Sequence, residues 1–161
     1  MIDEIKQLVI ELGQALKRVE WKCVTAESCT GGGLAYWITA VPGSSDWFDR
    51  GFITYSNLSK QELVGVSADT LDRYGAVSAE TAREMAEGAL QRSQAQVSVA
   101  ITGIAGPDGG SKDKPVGTVW IAVAGIDSET KAIHSVFSGD RQQIRLQSMA
   151  VALQALMPLL K

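Results

Sequence analysis

Apolar residues recur at Ile2, Ile5, Leu8, Val9, Leu12, Leu16 and Val19, the spacing of one buried helix face. Lys17 and Arg18 fall in the last turn, where a helix dipole favours cations. The pattern predicts an amphipathic helix over 2–19. The period then shortens to an apolar run from Cys23 to Ala26, followed by Glu27-Ser28-Cys29-Thr30, three glycines and a second helical stretch through Thr39. This reads as strand, turn, helix. Pro42, Gly43, Ser44 and Ser45 break the chain, after which Phe48–Tyr55 reads as a strand and Asn57–Val64 as a short helix capped by Ser56 or Asn57. Ser78 caps a predicted helix whose buried face carries Ala82, Met85, Ala86, Ala89 and Leu90, and Val97–Ile101 follows as a buried strand.

The stretch from Gly103 to Gly117, GIAGPDGGSKDKPVG, is too rich in glycine and proline for regular structure, and long loops in compact domains are usually functional. Two alternating strands, Thr118–Ala124 and Ala132–Phe137, are expected about a turn near Asp127 and Ser128. A final helix is expected from Arg141 to Leu160, on Ile144, Met149, Leu153 and Leu156. With no repeat and no linker, 161 residues read as one domain, 1–161, with helices covering both faces of a mixed sheet.

Composition narrows the functional classes. The hydrophobic share of 45% and charged share of 20% suit a folded globular chain. A net charge of −3 disfavours a role in holding a nucleic-acid backbone, so no nucleic-acid partner is expected. Asp3, Glu4 and Lys6 interrupt the first apolar residues, and no later run reaches membrane-spanning length; the expectation is a cytoplasmic protein without a signal peptide or membrane partner. Cys23 and Cys29 fit neither a metal-binding pattern nor a disulfide framework and are expected to be reduced. The single histidine, His134, excludes His-rich metal sites and lies inside an alternating strand pattern, poorly placed to serve as a catalytic base.

The segment TAESCTGGG, residues 25–33, ends a strand at a hydroxyl and a thiol and enters a helix through glycines. Unpaired N–H groups at such a helix start can hold a phosphate or an oxyanion, while the plain alternative is that Ser28 or Thr30 is only a cap. Cys29 competes with Ser28 as nucleophile. The available bases are Tyr55 and Lys60 of TYSNLSK, residues 54–60. An ordinary lysine, with a pKa near ~10.4, is neutral in about one molecule in a few thousand at pH 7. The base reading therefore requires Lys60 to be desolvated, with Tyr55 relaying a proton between it and Ser28; the plain reading leaves Lys60 solvated and Tyr55 half-buried. Ser111 and Lys114 match a Ser-x-x-Lys spacing, but Pro115 and the nearby glycines oppose the helix this spacing needs. Arg141, beside Asp140, is either a surface ion pair or a clamp for phosphate or carboxylate.

The blocks TAESCTGG, GFITYSN with Lys60, GAVS at 75–78, TGIAGPDGG at 102–110, KPVGTVW at 114–120 and FSGDR at 137–141 together resemble the CinA C-terminal domain family, over nearly the whole chain and in that family's order. The resemblance implies a three-layer α/β/α sandwich with a mixed central sheet. It also implies an amidohydrolase that converts nicotinamide mononucleotide and water to nicotinate mononucleotide and ammonia, with no metal and no cofactor. Carried over, Ser28 is the nucleophile, with Tyr55 and Lys60 in activation and proton transfer. Asn57 of the YSN block, Thr102, Gly103, Ala105, Gly106 and Arg141 would bind the nucleotide. Thr30, Gly31 and Gly32 would offer backbone donors to the oxyanion, to the phosphate, or to neither. The expected partner is a small-molecule nucleotide, the expected assembly a homo-oligomer such as a dimer, and the alternative a non-catalytic nucleotide- or protein-binding member.

Overall fold

A computed structural model describes residues 1–161. Helix α1 (Ile2–Val19) buries Ile5, Val9, Leu12, Ala15 and Leu16 and ends where Glu20 turns left-handed. Strands β1 (Cys23–Glu27), β2 (Phe48–Ile53), β3 (Val97–Gly103), β4 (Thr118–Gly125) and β5 (Ser128–Val136) form one sheet in the order β2-β1-β3-β4-β5. The first three run parallel, and β4 and β5 add antiparallel, so the sheet is mixed.

Because side chains alternate along a strand, each sheet face collects its own core. Val97, Val99, Ile101, Val119, Ile121 and Val123 pack with α1, α2 (Gly33–Thr39) and α6 (Arg141–Leu156). The opposite face is paved with small residues, Ala26, Ala100, Ala122 and Ala124, under α3 (Asn57–Val64), α4 (Ala68–Tyr74) and α5 (Ala79–Gln91). Small side chains there let α5 come close enough for Ser98 Oγ to donate to the Ala86 carbonyl at 2.6 Å. At Gly88 a β-carbon would lie 1.7 Å from the Val64 carbonyl oxygen, so only glycine fits where α5 passes α3. The result is the expected three-layer α/β/α sandwich. No helix is long and apolar enough to cross a membrane.

The sequence pattern missed one helix and misplaced several element ends, β3 among them, which runs to Gly103 and not to Ile101. Helix α4 was not predicted, because Leu71 is the only buried apolar residue among its seven; it is held by the Ser67 side chain, which accepts from the N–H groups of Asp69 and Thr70. Strand β5 starts at Ser128 instead of Ala132, since its polar first half pairs with β4 through main-chain bonds while its side chains remain largely exposed. Strand β2 ends at Ile53, two residues before Tyr55. Helix α6 stops at Leu156 and a 3-10 turn covers Met157–Leu160: Pro158 has no N–H to give to the Gln154 carbonyl, which accepts from Met157 N–H instead.

Candidate active site

The three parallel strands end side by side, with Glu27 of β1 in register with Ile53 of β2 and Ile101 of β3. The chain leaves β1 toward β2 on one side while β3 lies on the other, the switch point at which open α/β sheets hold ligands. Main-chain pairing continues one residue past β1: Ser28 N–H donates to the Ile101 carbonyl at 2.9 Å, and Thr54 N–H donates to the Glu27 carbonyl at 2.8 Å. Both residues are thus fixed by the sheet. A cavity of about 300 Å³ opens there, lined by Ser28, Cys29, Tyr55, Asn57, Lys60, Thr102, Gly103, Ala105, Gly106, Asp108 and Arg141, among others.

Lys60 is brought to this cavity by α3, whose start is fixed by reciprocal capping between Ser56 and Ser59. The residue is 1% exposed, and its Nζ lies 3.2 Å from Ser28 Oγ, 2.9 Å from the Thr54 carbonyl and 3.4 Å from the Tyr55 carbonyl. A neutral amine has two N–H groups and one lone pair. With two carbonyls taking the N–H groups, the lone pair is left for the Ser28 hydroxyl. Desolvation by burial holds the Lys60 pKa below its ordinary value, opposed only by the nearby Cys29; no carboxylate forms an ion pair with the amine. Cys29 itself is buried, and that burial pushes its thiol up to about 11, so it stays protonated at neutral pH and is a poor nucleophile beside Ser28.

Tyr55 occupies a different place from the relay the sequence suggested. The residue is 61% exposed, and its phenol accepts from Arg141 Nη2 at 3.2 Å, with no hydrogen bond to Lys60 or Ser28. Only its main-chain carbonyl meets the amine. Arg141 also donates through Nη1 to the Gly106 carbonyl at 2.7 Å, so its guanidinium spans the cavity mouth from Tyr55 to the glycine loop and does not pair with Asp140. Thr102 Oγ1 donates to the Ala76 carbonyl at 2.8 Å, tying the end of β3 to the segment before α5. His134 is exposed and stacks on Trp120, away from the site.

Thr30, Gly31 and Gly32 are not brought to the cavity wall. The reason is Glu27, a residue whose part the sequence reading missed. Its buried carboxylate accepts from Thr30 Oγ1 at 2.7 Å, from Leu34 N–H at 2.8 Å and from Ala35 N–H at 3.1 Å. The helix start that looked open to an anion is thus closed by the protein's own anion. Gly31 N–H is spent on the Ser28 carbonyl at 2.9 Å, and the Thr30 carbonyl accepts from Arg145 Nη2 at 3.0 Å. An acidic residue just ahead of a glycine-led helix was the available signal for this cap. No group of three or more His, Cys, Asp or Glu side chains is placed to share a metal ion.

The profile of the CinA C-terminal domain matches residues 5–160. The chain is 52% identical, over 153 residues, to the nicotinamide-nucleotide amidohydrolase PncC of Escherichia coli (strain K12), covering 95% of this chain and 93% of that protein. It is 47% identical over 158 residues to the protein of the same name from Pseudomonas putida, covering 98% of each. Among solved structures, the competence/damage inducible protein CihA from Agrobacterium tumefaciens superposes with a TM-score of 0.96 at 42% identity, covering 98% of this chain and 96% of that one.

Proposed function

The chain belongs to the CinA C-terminal domain family, and we propose that it is a nicotinamide-nucleotide amidohydrolase acting through a Ser28–Lys60 dyad. The observation that carries the mechanism is the buried Lys60 amine 3.2 Å from Ser28 Oγ with two carbonyls on its N–H groups. In its neutral form Lys60 takes the Ser28 proton as Oγ attacks the carboxamide carbon of nicotinamide mononucleotide. The developing oxyanion is met by the N–H of Cys29, which follows the nucleophile, lines the cavity and donates to no main-chain carbonyl. The tetrahedral intermediate collapses with the Lys60 proton delivered to the departing nitrogen, so ammonia leaves and a Ser28 ester remains. Water, deprotonated by the again neutral Lys60, then cleaves the ester to nicotinate mononucleotide and restores the Ser28 hydroxyl.

Arg141 has no carboxylate partner and stands at the mouth, where its forked donors suit the substrate phosphate. Asn57, Gly103, Ala105 and Gly106 form the walls around the nucleotide. Tyr55 acts by holding the Arg141 guanidinium across the opening. The reading is of one domain working in the cytoplasm, consistent with its two free cysteines, and of a symmetric pair of copies in solution. The decisive assay is ammonia release from nicotinamide mononucleotide without added metal. Wild-type protein should turn over and Ser28→Ala should lose at least about 10³-fold in kcat; full turnover by Ser28→Ala would overturn the mechanism, and binding without turnover by wild type would mark a non-catalytic member.

A further inference from the structure

Besides Lys60, which is engaged with Ser28, the cavity has two charged walls, Arg141 and Asp108. They are not paired with each other. The ion pairs of the molecule are Arg50–Asp49 and Arg73–Asp69, and no hydrogen bond engages the Asp108 carboxylate. The one cation of the same loop that is held in place, Lys114, donates to the Tyr74 carbonyl at 2.8 Å and so is turned away from it. Asp108 follows Gly106 and Pro107 in the loop after β3, and Gly109 behind it has a φ of 93°, a conformation that sets the turn at the cavity rim. The site therefore presents one free anion and one free cation around a nucleophile.

Resting on the amidohydrolase reading above, we propose that Asp108 is the specificity residue for the positive charge of the oxidised pyridinium ring. An oxidised nicotinamide nucleotide is a zwitterion, with a cationic ring beside the carboxamide and an anionic phosphate at the far end. Arg141 answers the phosphate, and Asp108 answers the ring nitrogen. The interaction rewards the oxidised form alone, because a dihydronicotinamide ring carries the same carboxamide, ribose and phosphate without the charge. Asp108 is solvent-exposed at the cavity rim, so its attraction for the ring is screened and selects the oxidised form by about tenfold.

The test is calorimetry in a Ser28→Ala background, which prevents turnover, with nicotinamide mononucleotide and its dihydro form as ligands. Asp108→Asn should weaken binding of the oxidised nucleotide about tenfold, equivalent to about 1.4 kcal/mol, and leave the dihydro form within about twofold. Asp108→Glu, which keeps the charge, should retain most of the preference. Equal losses for both ligands would mean that the carboxylate serves the ribose or the loop, and no loss for either would mean that it serves neither; each result overturns the proposal. Ammonia release by the otherwise wild-type protein is measured alongside. Its absence overturns the amidohydrolase reading, whereas release combined with equal losses overturns only the role of Asp108.

Discussion

Replacing Lys60 separates a base from a fixed charge. Its amine is buried, with three oxygen neighbours between 2.9 and 3.4 Å and no carboxylate to keep it protonated. If the neutral amine abstracts the Ser28 proton, Lys60→Met should lower kcat by about 10² to 10⁴, or roughly 3–5 kcal/mol of transition-state stabilisation. Lys60→Arg should be equally inactive, since a guanidinium keeps the charge and the donors but does not deprotonate. The wild-type pH profile should rise with unit slope in kcat/KM and level off below 10.5, because burial lowers the Lys60 pKa from that value. The same shift sets the sign of a stability effect. The unfolded chain binds the proton more tightly, so the burial penalty is fully present below the folded pKa and disappears as pH rises toward 10.5. Lys60→Met should therefore gain stability relative to wild type at neutral pH, and the gain should shrink on going alkaline; paired thermal melts across that range measure it. Turnover by Lys60→Arg within tenfold of wild type, or a pH-independent rate, would refute the argument.

Tyr55→Phe removes one hydrogen bond to Arg141 and should cost at most about tenfold, seen mainly in KM, whereas loss of an obligatory relay would cost 10² or more in kcat; steady-state kinetics decide between them. Glu27→Ala strips the acceptors from three donors around α2 and should destabilise the fold by about 3–5 kcal/mol in denaturant unfolding, with Glu27→Gln intermediate. Cys29→Ala should keep kcat within about threefold, since a thiol raised to about 11 is not the nucleophile; loss of activity there with Ser28→Ala active would move the chemistry to sulfur.

The pieces legible in sequence were those governed by local period and local chemistry. The buried stripe of α1, the β1-turn-α2 unit and the caps at Ser56 and Ser78 follow from neighbours a few residues away. Helix α4 and the first half of β5 were hidden because a cap and adjacent elements, not their own apolar content, hold them: α4 takes the Ser67 cap and packs Leu71 on the α5 side, and β5 pairs along β4. Ser28 and Lys60, 32 residues apart, were named from motif blocks, but their 3.2 Å approach depends on β1 and β2 ending in register, which no local pattern encodes. The hydrogen-bond partner of the Tyr55 phenol was hidden for the same reason. Its sequence neighbour is Lys60, yet the turn after β2 sends the phenol across the opening to a residue 86 positions away.

The position of Glu27 explains why the dyad is built on a lysine held by carbonyls and not on a helix start aimed at the substrate. The first turn of α2 points its dipole into the region next to Ser28, where an unanswered positive end would favour an anion but would also raise the cost of a second cation close by. By placing a carboxylate on the N–H groups of Leu34 and Ala35, the chain cancels that field within its own core. Lys60 then meets neutral groups, the Thr54 and Tyr55 carbonyls and the Ser28 hydroxyl, and burial is the main influence on its protonation, opposed by the nearby Cys29. A carboxylate touching Nζ would hold the amine charged and silence it as a base. The arrangement therefore needs its acid one turn away, facing the helix, and its amine among uncharged oxygens.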